Sequence, residues 1–325
     1  MKFHELDSHQ SLDGLRALAM IGNSADSGLD QPQRALLDAI QHCLLHTDIA
    51  LENLASITAD ELSARFQGST ESRQLIQQMI LVSLADGPPN EAQSDLILDF
   101  AQALRVNEPA VKVTRHLMQG KRLRFRLGFY PRSNVRDYIA MQYRTQGGVL
   151  GVIKGLMGFR GLIENRKLAD RFRALENLPK NTFGYQFFIH CRNNGLNFPG
   201  EKGGFPVGAV WHDFGHVLAG YDTSPEGEIQ AASFQAGNRQ NDNAFFTMLF
   251  GILIHTSGVN MAPIDMPVLK GRIGNGNLAE KMFNAWLKGT RTTVDLGADW
   301  DFWSYLNLPL DVARERIGVS DSALA

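Results

Sequence analysis

The sequence predicts an all-α chain: a multi-helix C-terminal domain preceded by a small duplicated helical bundle. Three observations carry this expectation. Through the first 110 residues apolar side chains recur three and four apart, the spacing of an amphipathic helix. The same spacing returns from about residue 177, interrupted by Gly/Pro stops. Only one stretch, "KRLRFRLGFY" from Lys121, alternates basic and apolar residues, the signal of one short strand or an extended arm.

Taken in order, the chain divides at 1–110, 111–176 and 177–325. Its length of 325 residues already favours two domains over one. In the first segment "LRALAMIGNSADSGLDQPQRALLDAIQHCLL" reads as helix, turn, helix. A second copy follows sixty residues later in "QQMILVSLADGPPNEAQSDLILDFAQAL". Ala25-Asp26 falls on Ala85-Asp86, Gln33 on Gln93, Leu36 on Leu96 and Ile40 on Phe100. Asp26 and Asp86 are expected to cap the helices that follow them. The duplicated pattern resembles TerB-like domains over roughly residues 12–110. That resemblance implies a small helical bundle with a docking or metal-sensing role.

The middle segment holds the strand-like run and then "GGVLGVIKGLMGFRGLIENRKLADRFRAL". On a helix, Gly147, Gly151 and Gly155 make one small-residue face suited to close packing. Leu150, Ile153, Met157 and Leu162, with Lys154 and Arg160, make the segment basic and amphipathic. From 177 onward come a helix in "TFGYQFFIHCRNNG", two in "VWHDFGHVLAGYDTSPEGEIQAASFQAG", an all-round apolar and hence buried one in "NAFFTMLFGILIHTSGV", and one in "NLAEKMFNAWLKGTRT".

A net charge of −2 hides strong segregation. Residues 1–110 carry 16 Asp/Glu against 6 Lys/Arg, and residues 111–175 carry 15 Lys/Arg against 3 Asp/Glu. The basic block is the part with a footprint for an acidic partner such as an anionic membrane surface, and internal packing with a solvated basic face is the competing reading. Nucleic acid is not expected, because no nucleic-acid-binding motif accompanies the charge. The polar, mixed-charge start is no signal or transit peptide, and no apolar run is long enough to span a bilayer. Cys43 and Cys191 lie far apart and suit a reducing compartment. The expected location is the cytoplasm, with peripheral contact at the inner face of the cell membrane. A homodimer is a further expectation.

The chemistry concentrates in "WHDFGHVLAGYDTSPEGE", Trp211 to Glu228. His212 and His216 are four apart and share a helical face, and Asp213 is a neighbour of His216. Gly220 suits a left-handed helix stop, Ser224 an N-cap and Pro225 the first helical position. Glu228 then swings back from the next helix onto the His212/Asp213/His216 patch. Two imidazoles with one or two carboxylates make a divalent-metal site, and a hydrogen-bonded cluster without metal is the competing reading. Zinc is the first choice, with iron, magnesium and cobalt as alternatives. Lys202 and Arg192 are candidates for meeting a substrate carboxylate or phosphate. His190 with Cys191, His255, Trp300 and Trp303 read as ordinary packing.

HDxxH, eleven residues, then Glu resembles the signature of the coenzyme Q biosynthesis protein 4 family. "LPKNTFGYQFF" from Leu178 and "GADWDFWSYLNLPLDVARERIGV" from Gly297 are similar to that family's flanking segments. The resemblance covers roughly residues 150–320. It implies an all-helical, metal-binding protein with an apolar channel for an isoprenoid substrate and other quinone-biosynthesis proteins as partners. It also implies oxidative loss of the C1 carboxyl of a polyprenylated hydroxybenzoate-type ring, replaced by hydroxyl. His212, Asp213, His216 and Glu228 would be the catalytic and metal-binding residues. A metal-stabilised lipid-binding scaffold is one alternative. An HD-type metal phosphohydrolase, using His190, His212, Asp213 and Asp242 or Asp265, is the other.

Overall fold

Short polar side chains decide where helices begin in this protein. The computed structural model describes residues 6–24, 28–66, 70–239, 241–242, 244–261, 267–298 and 300–319. Among them it contains sixteen α-helices and no β-strand. They are α1 Ser8–Asn23, α2 Gln31–Ile40, α3 Ala59–Arg65, α4 Thr70–Ser83, α5 Glu91–Ala103, α6 Pro109–Met118, α7 Arg122–Phe129, α8 Asn134–Thr145, α9 Gly148–Phe159, α10 Arg166–Arg173, α11 Phe183–Asn193, α12 Val210–Ala219, α13 Pro225–Asn238, α14 Ala244–His255, α15 Leu278–Thr290 and α16 Leu310–Ile317. The all-α expectation therefore holds. The chain forms two compact units, Met1–Pro131 with Phe245–Ala285, and Arg132–Ala244 with Trp286–Ala325.

In the first unit the sixty-residue repeat is visible in the helix starts. Asp30 caps α2 by accepting from the Gln33 amide at 2.8 Å, and the Gln33 side chain accepts from the Asp30 amide at 3.2 Å. Asn90 and Gln93 do the same for α5, at 2.8 and 3.0 Å. Each box satisfies two amides that the helix itself leaves unpaired. The cap therefore falls four residues beyond the position expected for it. Asp86 lies exposed in the turn before α5, and Asp26 lies outside the described residues. A second correction concerns Lys121–Tyr130, which is helical over Arg122–Phe129. Its alternation conceals a four-residue pair, Phe125 and Phe129, both buried. With no partner strand, local helical bonds are what satisfy its backbone. The apolar α14 is a core helix of this unit: Phe246 meets Phe129 edge-on at 5.4 Å between ring centroids. Beyond its end, Thr256 and Ser257 donate side-chain hydrogen bonds to the Ala85 and Leu84 carbonyls at 3.0 and 2.7 Å.

In the second unit, α11, α12 and α13 form the frame. The two segments flanking the histidine motif in sequence are joined to one another. Backbone bonds run from Phe183 to Leu308, Gly184 to Leu306 and Leu310 to Asn181, each 2.8 Å. They seat the start of α11 on the turn before α16. Phe183 and Phe187 of α11 then pack against Phe214 of α12, with centroids 5.0 and 4.5 Å apart. Phe214 in turn meets Trp300 and Phe302, so Trp300 is core as expected. Arg314 of α16 donates to the Leu218 and Val217 carbonyls at 2.8 and 3.1 Å, satisfying the last turn of α12.

Candidate metal centre

The helix carrying the histidines stops where the sequence says it should. Gly220 adopts φ 79°, a left-handed conformation costly to other residues, and its amide reaches back to His216 O. Ser224 caps α13 and Pro225 opens it, so Glu228 lies in the first turn. The tight α12–α13 turn brings that turn of α13 back against α12.

His212, His216 and Glu228 converge, with one ligand atom from each lying within 4.8 Å of the others. The two Nε2 atoms are 3.3 Å apart. Glu228 Oε2 lies 3.4 Å from His212 Nε2, and Oε1 lies 3.5 Å from His216 Nε2. Donors about 2.0–2.1 Å from a tetrahedral ion lie roughly 3.3 Å from one another. The spacing of the two imidazole nitrogens matches that value, and Glu228 approaches each of them through a different carboxylate oxygen. The other imidazole nitrogens are already committed. His216 Nδ1 donates to Tyr221 O at 3.2 Å. Gln235 donates its amide nitrogen to His212 O at 3.0 Å, and its side-chain amide faces His212 Nδ1 with Nε2 at 3.2 Å and Oε1 at 3.3 Å. Both contacts hold the rings with Nε2 facing Glu228, the orientation a metal requires.

Without a metal the same atoms hold a proton. Burial works against a charged His212, but the hydrogen bond and charge of Glu228, with the charge of Asp213, carry its pKa up to about 9. Burial likewise opposes a charged Glu228, yet its hydrogen bonds and ion pairs with both histidines hold it well below the usual carboxylate range.

Asp213 stands outside this triangle. Its Oδ1 lies 3.2 Å from His190 Nε2 on α11, and the His190 ring stacks on His216 with centroids 5.5 Å apart. His190 is therefore a neighbour of the site, although its sequence position read as ordinary packing. Its signal in the sequence was weak, a lone histidine at the end of an aromatic helix. Cys191 beside it is fully buried and burial pushes its thiol up, which removes it as a nucleophile. Of the aspartates in the phosphohydrolase reading, Asp242 is exposed and Asp265 lies outside the described residues.

Arg192 does not stand free for a substrate. It makes a two-pronged pair with Glu201 at 3.1 and 3.3 Å and lies over the Phe198 ring at 4.2 Å. Arg173 binds the same carboxylate at 2.7 Å. Lys202 is exposed, and its carbonyl accepts from Asn197. Two residues were missed by sequence reasoning. Gln235 is seven residues beyond Glu228 and so shares its helical face. Tyr138 of α8 packs on Trp211 with centroids 5.7 Å apart. Burial and the nearby charges of Asp213 and Glu228 push its phenol up, so it stays protonated.

The second unit also holds a cavity of about 590 Å³ lined by residues between Gln142 and Val207, among them Ile163, Leu168, Phe205 and Val207. Val207 opens the short turn that leads into α12.

No protein-family model matches the chain, and no curated protein matches it. Among solved structures, the chain is similar to a "putative ubiquinone biosynthesis protein" from Nostoc punctiforme. The two are 17% identical, the match covers 78% of this chain and 100% of that one, and the TM-score is 0.33.

Proposed function

We propose that this chain performs a ubiquinone-biosynthesis-type reaction: metal-dependent oxidative loss of the C1 carboxyl of a polyprenylated hydroxybenzoate-like ring as carbon dioxide, in which one dioxygen places one oxygen atom on C1 and leaves the other as water, giving the ring at the quinone level; the C1 hydroxyl is its two-electron-reduced form. The observation that carries the reading is the half-buried cluster of His212 Nε2, His216 Nε2 and the Glu228 carboxylate, with both histidines oriented through Nδ1. These three residues would hold a divalent ion, zinc first by the donor set, with iron equally suited to two histidines and a carboxylate. When bound, such an ion supplies Lewis-acidic charge to a ring oxygen or carboxylate.

The chain's own groups fit the remaining tasks. Tyr138, held protonated, can donate a hydrogen bond to a charged ring substituent. The Asp213–His190 pair can carry a proton between imidazole and carboxylate beside His216. The apolar wall of the cavity, Ile163, Leu168, Phe205 and Val207, suits a prenyl tail.

The test separates binding from chemistry. His212→Ala and Glu228→Ala are expected to lose the bound metal by elemental analysis and to abolish quinone formation in a host that depends on this protein. Asp213→Asn is expected to keep the metal and to slow product formation, with the accumulating precursor still carrying its C1 carboxyl. Metal-free variants that support quinone formation as well as wild type would replace catalysis by a scaffold role.

A further inference from the structure

We propose that the outer face of the α8–α9 hairpin docks on an anionic lipid bilayer. Its apolar side chains are unusually bare. On α9 Val149, Leu150, Ile153 and Leu156 are 65%, 59%, 49% and 52% exposed. They recur at helical spacing and so form one stripe. Ile139 and Tyr143 on α8 and Leu162 just beyond α9 are exposed as well. Soluble surfaces scatter such residues singly, and a contiguous group marks an interaction face.

The opposite face of α9 is spoken for. Gly151 is buried, and a methyl group there would collide with the Gln146 carbonyl; one at Gly155 would collide with the Gln142 side chain. Gln142 also donates to Gly151 O at 3.2 Å. The glycines thus hold the two helices together, and the stripe takes no part in closing the hairpin. Both roles expected for this segment, close packing and an amphipathic face, belong to it on different sides.

Charge selects the occupant. No acidic residue lies between Asp137 and Glu164, whereas Arg144, Lys154 and Arg160 are all exposed there. A second copy related by a two-fold would bring these cations against themselves. Anionic headgroups would instead neutralise them while the stripe enters the acyl boundary. The twelve residues of α9 are too few to cross a bilayer, which takes about 20. No helix of the described residues is long and apolar enough to do so. The hairpin therefore lies in the interface plane.

The experiment is flotation of the full chain with phosphatidylcholine vesicles, with and without phosphatidylserine. Binding is expected with the anionic vesicles alone and is expected to weaken as salt rises. The triple variant Leu150→Asn/Ile153→Asn/Leu156→Asn should bind about tenfold more weakly or less, since apolar burial sets interfacial affinity. Arg144→Gln/Arg160→Gln should weaken binding to anionic vesicles. Both variants are to match wild type in helical circular dichroism. The indole of Leu150→Trp should shift its emission to the blue when anionic vesicles are added. His212→Ala should float as wild type does, so the fate of the metal reading is read separately. Overturning results are a wild-type chain that floats with neither vesicle, a correctly folded triple variant that floats like wild type, or a dimer dispersed by the triple variant in a chain that ignores vesicles.

Discussion

At the residue scale, a proton and a metal ion compete for the Nε2 lone pair of His212. Glu228 draws either one in, because a half-buried carboxylate favours a positive partner. With His212 protonated up to about pH 9, metal binding at neutral pH must release that proton. Metal affinity is therefore expected to rise about tenfold per pH unit toward that value. Calorimetric titration in buffers of different ionisation enthalpy will read the released proton, and an affinity flat between neutral pH and pH 9 would contradict this account. The metal-free protein responds in the opposite sense. The raised histidine contributes stability that is full below its ordinary 6.5 and is lost as pH rises through about 9. The depressed Glu228 contributes stability that is full above its ordinary 4.5 and is lost as pH falls toward its folded value. Their shared contribution is thus greatest between 4.5 and 6.5. Melting temperatures of metal-free and metal-loaded protein across this range should diverge as pH rises.

At the scale of elements, the site depends on how α12 ends. Its last carbonyls are satisfied by Arg314 of α16, and the turn through Gly220 places the Tyr221 carbonyl that orients His216. Arg314→Met keeps much of the side chain's packing and removes the donors. It is expected to cost about 1–3 kcal/mol in urea unfolding, the range for leaving such acceptors unpaired. It should weaken metal binding as well, because Tyr221 follows directly on that turn. An unchanged urea midpoint would show that water serves these carbonyls as well as Arg314 does. The joined segments Asn181–Gly184 and Leu306–Leu310 act similarly for α11. They fix the helix that brings His190 to Asp213. The two sequence stretches flanking the histidine motif are thus structural supports of the site, placed far apart in the chain and side by side in the fold.

At the scale of the whole molecule, the chain enters the first unit, leaves it at Pro131 and returns at Phe245. The returning α14 is hydrophobic on every side, and Phe245, Phe246, Leu249 and Leu253 are all buried. A fragment of residues 1–131 would expose the surface that this helix covers, including Phe129 and the Leu84 and Ala85 carbonyls. Such a fragment is expected to lack a cooperative thermal transition and to lose near-ultraviolet dichroism. Adding residues 244–285 through a flexible linker should restore both. A cooperatively folded 1–131 fragment would show that the duplicated bundle needs no returning segment.

Much of the local structure was legible in the sequence alone. The helix periodicity, the sixty-residue repeat, the Gly220 stop and the Ser224-Pro225 start are set by side chains acting within a few residues of themselves. So was the approach of Glu228 to His212 and His216, because one short turn joins their helices. The alternation at Lys121–Tyr130 misled, since a strand needs a partner and Phe125 with Phe129 anchored a helix instead. The position of the α5 cap was missed for a similarly local reason, the competition between nearby short polar residues. What tertiary structure decided is everything that joins distant segments: Asp213 turned to His190, Gln235 against His212, Tyr138 against Trp211, Arg192 consumed by Glu201, and α14 returned to the first unit. Periodicity tells a helix which face is apolar. It does not say which surface that face will meet, because the free energy of burial is nearly indifferent to direction and the choice falls to shape and charge in the assembled core.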